Sequence, residues 1–397
     1  MSESENLRIL WVTRNCLFDP TSGASQSARQ MLQQLSGVGF DVKAIGASTF
    51  DTAIAYTKFF EKFSKPSDSN TAIGINDGPL HHTIVPTIHY HPDKMTLREL
   101  QRLVSIYKDT LTTFKPDIVW MYGGMFYDQY LQEIANKDGC KTAFYLVNGN
   151  YKGHDWYENI DTIITDSNAT ADYYAARLSL DLFVAGKFVP KASVTPAHRK
   201  RTHLTIINPS REKGGYLVAQ IALELEKRGL DIPLEVVESR GKWSSCVNTV
   251  LSAANEGPRD LTNVQVTGTT SDMRPIYGRA RVILHPSLWY ESGSRVLVEA
   301  TLNGIPAIIT KNGGQPEIVG KGGIILDLPA DMYEAPYSKL LGREGLEKVI
   351  SLIQRLFDDD DFYHTLAKRA AEQGNLKNNI DHNTKILAQH FKKLVLQ

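Results

Sequence analysis

The feature of this sequence that most constrains its fold is an alternation of short apolar runs with longer amphipathic segments. The run Arg8–Thr13 has the length and near-continuous apolar character of a strand buried on both faces of a parallel sheet. The segment Gln26–Leu35 follows it with apolar residues at helical spacing. Strands that alternate with helices in this way predict an α/β fold with parallel sheets covered by helices on both faces.

The pattern recurs along both halves of the chain. Further strands are predicted at Asp41–Ile45, Thr83–His89, Asp117–Met121, Thr142–Val147, Thr162–Thr165, Leu204–Ile207, Leu234–Val237, Val264–Thr267, Val282–Leu284 and Ala307–Thr310. Further helices are predicted at Leu97–Phe114, Tyr127–Asn136, Gly214–Arg228, Ser294–Asn303, Leu346–Phe357, Phe362–Ala371 and Thr384–Leu396. Between the two halves, residues 191–203 carry a proline and the basic run Arg199-Lys200-Arg201, which is typical of a linker. We therefore expect two α/β domains, at residues 1–190 and 204–380, with a ligand cleft between them.

Composition excludes several classes of protein. The 44 basic and 44 acidic side chains cancel, so no global field attracts nucleic acid or an anionic membrane. The three cysteines, Cys16, Cys140 and Cys246, form neither a disulfide framework nor a C-x-x-C metal pair. No secretory signal and no run of 18 apolar residues is visible. These features predict a cytoplasmic protein with no nucleic-acid partner and at most peripheral membrane contact.

The stretch Pro286–Pro306 concentrates groups that suit a bound anion. A loop carries Glu291, and a predicted helix then opens with three small residues, Ser292, Gly293 and Ser294. Free backbone N–H groups at a helix start favour a phosphate, and Arg295 adds a fixed charge in the first turn. Because Glu299 lies eight residues after Glu291, both carboxylates can point at one bound molecule.

This stretch resembles the signature P-S-x-x-E-x-F-G-x-x-x-x-E-A-x-A-x-G-x-P of retaining GT-B glycosyltransferases of the group 1, or family 4, type. The residues at matching places are Glu291, Glu299, Ala300, Gly304 and Pro306; Pro286 and Ser287 match the P-S pair, with one residue more before Glu291 than the signature has. The segment Lys311–Ile318 similarly resembles the G-G-x-x-E loop of that family. The chain departs from the signature at Gly293, in the place of Phe, and at Ser294, in the place of the second Gly.

Two further segments support the resemblance. Residues 208–215 resemble the turn G-R-x-x-x-x-K-G, whose lysine pairs with the donor diphosphate. Lys213 matches that lysine, whereas Asn208 stands in register with the arginine, and Arg211 is its expected replacement. The donor-binding residues implied by this turn are Ser210, Arg211, Lys213 and Gly214. Near the N-terminus, Gly23 and Ala24 lie in a segment that resembles the glycine-bearing loop near the donor phosphates or the acceptor.

The resemblance also implies catalytic roles. Glu291 would bind hydroxyls of the donor sugar, and Glu299 the ribose of the nucleotide. Where the family often has a histidine after the strand ending at Val147, this chain has Asn148, and His154 lies six residues further on. Both remain candidates for the hydrogen bond to the donor sugar.

The function implied is that of a retaining hexosyltransferase that uses a nucleotide-diphosphate sugar, with UDP or GDP most expected. The implied fold is GT-B, with an acceptor-side domain at 1–190, a donor domain at 204–380 and a C-terminal helix within 381–397 that crosses back to the first domain. No D-x-D motif follows a strand, so we expect fixed cations instead of an obligate metal, and no cofactor. The acceptor is not identified, and a soluble small molecule or glycan is mildly favoured.

Two other classes remain open. One is a GT-B-fold isomerase such as a sugar-nucleotide epimerase, or a phosphorylase. The other is a non-catalytic protein that binds sugar nucleotides, which the departures at Asn208 and Ser294 keep open.

Overall fold

The structure of the protein is a computed structural model that describes residues 6–66 and 71–397. The chain forms two compact units. Unit 1 comprises Met1–Phe188 and Ile380–Gln397, and unit 2 comprises Val189–Asn379. Each unit is built on its own sheet, so the α/β class expected from the alternating pattern is confirmed.

Unit 1 is built on an eight-stranded sheet. Its strands are β1 (Arg8–Val12), β2 (Asp41–Ala47), β3 (Ile73–Asp77), β4 (Leu80–Val85), β5 (Ile118–Met121), β6 (Lys141–Leu146), β7 (Thr162–Thr165) and β8 (Leu182–Val184). They lie in the order β3-β4-β2-β1-β5-β6-β7-β8, and each neighbouring pair is parallel except β3 with β4. The helices between them are α1 (Gly23–Gly37), α2 (Ala53–Phe63), α3 (Leu97–Phe114), α4 (Phe126–Lys137) and α5 (Asn168–Leu178).

Unit 2 is built on a six-stranded, fully parallel sheet. Its strands are β9 (His203–Ile207), β10 (Leu234–Val237), β11 (Val264–Thr267), β12 (Ala280–His285), β13 (Ala307–Thr310) and β14 (Gly323–Leu326). Its helices are α6 (Lys191–Val194), α7 (Gly215–Lys227), α8 (Trp243–Ala253), α9 (Arg274–Arg279), α10 (Arg295–Leu302), α11 (Gln315–Val319), α12 (Arg343–Asp358) and α13 (Asp360–Lys377). The strand order is β11-β10-β9-β12-β13-β14, so the winding direction reverses between β9 and β12. Ligands of open parallel sheets bind beyond the carboxyl ends of the strands at such a reversal.

The cores form because apolar helix faces cover apolar strands. On α7, Leu217, Ile221 and Leu225 recur at helical spacing and are fully buried in one cluster with Leu234 and Val282 of the sheet. This packing fixes the start of α7, and with it the turn that precedes the helix, against the sheet.

The last helix, α14 (Ile380–Val395), belongs to unit 1. Leu387 and Phe391 are fully buried in a cluster with Trp11, and the Phe391 ring meets the edge of Trp120 at 5.1 Å. The side chain of Asn383 donates to the Lys187 carbonyl at 2.9 Å, just before the chain enters unit 2.

The structure differs from the sequence prediction at residues 191–203, which were expected to be a linker. These residues lie in unit 2, where Val194 at the end of α6 is buried with Tyr277 and Leu297. Arg201 of the basic run donates to the carbonyls of Ala280 at 3.3 Å and Asn303 at 2.6 Å. The Arg201 side chain is therefore hydrogen-bonded to the backbone of unit 2. The division between the units lies earlier in the chain, at 188–189.

Within the part of the chain that the structure describes, no helix combines the length and apolarity needed to cross a bilayer.

Candidate functional site

The candidate site lies at the carboxyl ends of β9 and β12, where the winding of unit 2 reverses. A single 3₁₀ turn, Arg211–Lys213, follows β9, and a loop leads from β12 to α10. The backbone N–H groups of Leu288 and Trp289 in that loop donate to the Glu212 carbonyl at 2.9 and 3.0 Å. These bonds bring together two segments that the sequence analysis assigned to the donor.

At the centre of the site, Lys213 Nζ makes an ion pair with Glu291 Oε1. The two side chains are only 15% and 12% exposed. Burial by itself raises the pKa of Glu291, but the charge of Lys213 and a hydrogen bond from His285 hold that pKa well below its usual range. Glu291 is therefore a carboxylate at neutral pH, opposite an ammonium group in a poorly solvated crevice.

The backbone of Glu291 is fixed by the loop after β13. Gly314 N–H donates to the Glu291 carbonyl at 2.7 Å, and Glu291 pairs with Gly313 in an isolated parallel bridge. Gly313 has φ +70°, and a Cβ there would lie 2.2 Å from the Glu291 carbonyl oxygen. Only glycine permits this approach, which accounts physically for Gly313 in the Lys311–Ile318 segment.

The turn after β9 depends on glycine in the same way. Gly214 has φ +81°, and a Cβ there would lie 2.3 Å from the Pro286 carbonyl oxygen. Asn208, which stands in the place of the family arginine, has φ +61° and accepts the Gly241 N–H on its side-chain oxygen at 2.8 Å. Asn208 thus braces the turn, whereas Arg211, its expected replacement as a cation, is exposed. The hydroxyl of Ser210 also has a partner within the turn, because it donates to Glu212 at 2.6 Å.

His285, at the end of β12, joins two residues of the site. Its Nε2 lies 3.1 Å from Ser294 Oγ and 3.6 Å from Glu291 Oε1, and both His285 and Ser294 are buried. Sequence reasoning did not include His285 among the site residues. The signal that could have found it was a histidine at the end of a buried strand, directly before Pro286.

The second carboxylate, Glu299, lies in α10 one turn after the helix begins. Glu299 is buried, and its two oxygens pair with Arg295 Nε at 2.7 Å and with the Tyr277 hydroxyl at 2.6 Å. Burial and the nearby Glu299 charge together raise the pKa of Tyr277 well above its usual range, so the phenol donates. Gly293 is half-buried and Ser292 almost fully buried, beside the N-terminus of α10. This N-terminus and Arg295 form a positive lining next to Lys213.

The remaining sequence-predicted residues lie in unit 1. Gly23 begins α1 and is exposed, with open space where a Cβ would stand, and Ala24 is half-buried. Asn148 follows β6, and its side-chain oxygen accepts the Asn150 N–H at 3.0 Å. His154 is exposed, and its Nδ1 contacts the Tyr157 hydroxyl.

Within residues 6–66 and 71–397, the structure holds no group of three or more His, Cys, Asp or Glu side chains arranged to ligate a metal.

The fold defined by these two parallel-sheet units is GT-B, the fold of nucleotide-sugar glycosyltransferases. The structure is similar to sucrose-phosphate synthase from Thermosynechococcus elongatus, with a TM-score of 0.72, 15% identity and coverage of 98% of this chain and 99% of that chain. It is similar to a glycosyltransferase from Rickettsia africae ESF-5 at TM-score 0.69 and 15% identity, covering 98% and 99% of the two chains. It is also similar to Anabaena HepE in complex with UDP and glucose, at TM-score 0.66 and 13% identity, covering 98% and 100%.

Sequence comparison assigns the part of unit 2 that carries the site. Residues 208–340 match the family model described as glycosyl transferases group 1. The comparison with curated protein sequences gives no match.

Proposed function

We propose that this protein is a retaining glycosyltransferase that moves a hexose from a nucleotide-diphosphate sugar to an acceptor without an obligate metal. The observation that carries the proposal is the buried Lys213–Glu291 pair beside the N-terminus of α10, inside the matched domain. A sugar transfer of this kind builds negative charge on the leaving diphosphate and positive charge on the sugar ring. The pair offers one group of each sign needed to stabilise both.

Cations and N–H donors stabilise the negative charge on the diphosphate. The Lys213 ammonium, the Arg295 guanidinium and the backbone N–H groups at the start of α10 are the groups that stabilise the departing phosphates. Binding of the donor draws Lys213 from Glu291 towards the phosphates, because a diphosphate carries more charge than one carboxylate. Since these cations are fixed in the fold, an obligate metal is unnecessary, and we expect EDTA to leave the rate unchanged.

Glu291 then becomes free to accept hydrogen bonds from hydroxyls of the donor sugar. Retention is proposed to proceed with the leaving phosphate taking the acceptor proton on the same face of the ring. A double displacement needs a second free carboxylate close by. Glu299 is unsuited to that part, because Tyr277 and Arg295 hold both of its oxygens; its proposed role is binding of the ribose.

The donor base proposed first is uracil. Anabaena HepE is described in complex with UDP and glucose, and the pneumococcal O-GlcNAc transferase GtfA in complex with UDP and GlcNAc. Both share the fold of this chain at low identity, which favours UDP-sugars over GDP-sugars as the first donors to test.

For unit 1 we propose an acceptor-binding role, with Asn148 as its catalytic candidate in preference to His154. Asn148 follows a buried strand directly and is half-buried, whereas His154 lies on an exposed 3₁₀ turn. Gly23 and Ala24, at the open start of α1, are proposed to contact phosphate or acceptor.

The test is release of nucleotide from a panel of UDP-, GDP- and dTDP-sugars by the purified protein. We expect slow hydrolysis of at least one donor, and we expect Lys213→Ala and Glu291→Ala each to lower kcat/KM about a hundredfold, as loss of one charge-stabilising group typically does. Lys227 and Glu256 supply a matched control, because they form an exposed ion pair at 2.7 Å in the same unit. Their alanine variants should keep the wild-type rate.

Two results would contradict the proposal. One is the absence of both nucleotide release and a thermal shift with every donor. The other is a wild-type rate in both the Lys213 and the Glu291 variants. Conversion of a donor to its epimer, without transfer, would instead identify an isomerase.

A further inference from the structure

A second concave site opens in unit 2, at the carboxyl ends of β13 and β14. Its volume is about 550 Å³, within the range of about 300–1,000 Å³ typical of small-molecule sites. Three tyrosines and three polar side chains define its lining: Tyr290, Tyr333, Tyr337, Lys311, Asn312 and Asp327. We call this cavity the β14 pocket.

The β14 pocket shares a wall with the loop that carries Glu291. Leu288 and Tyr290 of that loop line the pocket, and Asn312 donates from its side-chain nitrogen to the Leu288 carbonyl at 2.8 Å. Asn312 is also the neighbour of Gly313, which pairs with Glu291. A ligand in the pocket therefore contacts the two segments that fix Glu291, although neither Lys213 nor α10 lines it.

The lining suits a ligand that is rich in hydroxyl groups and has apolar ring faces. Among the described residues, Lys311 makes no ion pair or hydrogen bond, and the side-chain oxygen of Asn312 accepts none. Together with the Asp327 carboxylate, these groups offer donors and acceptors to a ligand in the cavity. The half-buried rings of Tyr333 and Tyr337 supply flat apolar surface in the same lining.

Other ligand classes fit less well. A diphosphate needs several cations or a helix N-terminus, whereas here one lysine is balanced by Asp327. A hydrocarbon chain would contact only the apolar part of the lining, such as Leu288, Leu326 and Leu328, and would leave the polar groups of Lys311 and Asp327 unused. A sugar ring satisfies both the polar and the aromatic surfaces.

The backbone conformation of Tyr337 supports a role of its ring in ligand binding. Tyr337 has φ +58°, in the left-handed region that bulky residues seldom adopt, and its ring meets Trp289 at a centroid distance of 6.4 Å. Such uncommon conformations concentrate at ligand-binding sites. Trp289 belongs to the loop that carries Glu291, so the ring of Tyr337 is tied to that loop.

We infer that the β14 pocket binds a saccharide ring beside the loop that carries Glu291.

The test measures saccharide binding by the full-length chain without any nucleotide. The probes are the methyl glycosides of glucose, galactose, mannose and N-acetylglucosamine, together with maltotriose and cellotriose. Saturation-transfer NMR detects binding, and the fluorescence of Trp289 beside Tyr337 gives the affinity.

Two variants and a matched control test the location. Tyr337→Gly removes the ring while glycine tolerates the positive φ, and Asp327→Asn removes a charged acceptor. Asp331→Asn is the control, since Asp331 lies four residues on, pairs with Lys339 at 3.7 Å and does not line the pocket. We expect at least one probe to bind, both pocket variants to weaken it about tenfold, and the control to match the wild type.

The inference is overturned if no probe binds the wild type, if the pocket variants bind as the wild type does, or if UDP displaces the bound probe. UDP binding and donor hydrolysis should be the same in the Asp331→Asn control and the wild type. Loss of donor hydrolysis in the wild type would count against the proposed function, while saccharide binding that responds to Tyr337→Gly would still support the pocket.

Discussion

The ion pair at the centre of the site makes a quantitative prediction about stability. Lys213 and Glu291 are 15% and 12% exposed, so the exchange Lys213→Met leaves a carboxylate in the crevice without its main counter-charge. Removing one partner of a buried pair costs about 3–5 kcal/mol. Because His285 Nε2 still lies 3.6 Å from Glu291 Oε1, we expect the lower end, about 3 kcal/mol. For a unit the size of unit 2, that lowers Tm by about 6–12 °C.

The pKa of Glu291 decides how the loss of stability in Lys213→Met changes with pH. In the wild type the pKa of Glu291 is held below its usual range, so its contribution to stability is present above the unfolded pKa of about 4.3 and is lost only as pH falls through the lowered value. Without Lys213, burial dominates and the pKa of Glu291 rises. The destabilisation of Lys213→Met relative to the wild type should therefore be full above the raised pKa of Glu291 in the variant. It should shrink as pH falls below that pKa, because the folded variant then takes up a proton that the folded wild type does not.

Thermal unfolding between pH 5 and 8 is the assay, with Glu291→Gln and the double variant Lys213→Met/Glu291→Gln as companions. The double variant contains no buried charge at this position, so it should recover much of the lost stability but none of the activity. Equal Tm values for Lys213→Met and the double variant at every pH would refute the reasoning, because the cost would then come from packing and not from an unpaired carboxylate.

Three further outcomes are expected. Gly313→Ala should destabilise unit 2 by about 1–3 kcal/mol more than Gly229→Ala in denaturant unfolding, because both have positive φ but only at Gly313 does a Cβ meet backbone. If the two variants unfold alike, the close approach at Gly313 is not rigid. His285→Leu should lower kcat about tenfold or more with little change in KM for the donor, whereas His285→Gln should keep most of the rate; an unchanged kcat in His285→Leu would remove its positioning role. Asn148→Ala should lower kcat in the transfer assay and His154→Ala should not, and the reverse result would exchange their roles.

Much of the fold could be predicted because buried strands carry a local signal. The strands at Thr162–Thr165, Leu234–Val237 and Ala307–Thr310 have the predicted bounds. Helix α8 was missed since its sequence is rich in serine, asparagine and β-branched residues, which have low helix propensity. It forms because Trp243, Cys246 and Val250 are buried against the core of unit 2, a contact that no local pattern encodes.

Two edge strands, β3 and β14, were missed for a related reason. Strand β3 pairs only with β4 and buries a single residue, Ile75, so it lacks the continuous apolar run of a central strand. Strand β14 also lies at a sheet edge and begins with a glycine. Both segments gain their strand structure from pairing with a neighbour.

The sequence predicted those parts of the site that lie at strand ends and in glycine turns. Lys213 and Glu291 lie 78 positions apart, yet each follows a strand beside the reversal of the sheet, and the rule for open parallel sheets brings such ends together. The contact of His285 with Ser294 could not be predicted from the sequence, because it depends on the rotation of α10 against β12. The exposure of Arg211 was also hidden, since it follows from the single 3₁₀ turn that directs Lys213 inward.

Two departures from the family signature left open the interpretation that the protein is non-catalytic. Each departure has a local structural explanation. Asn208 replaces an arginine, but its side chain holds the turn of Lys213 through Gly241. Ser294 replaces a glycine, and its hydroxyl contacts His285, which in turn faces Glu291. Each departure therefore supports a residue of the central ion pair instead of leaving a gap. Since one cation of the family turn is missing at Asn208, the diphosphate should depend on Lys213 more strongly here than in an enzyme that keeps the arginine, which makes the charge at Lys213 the most sensitive point of the site.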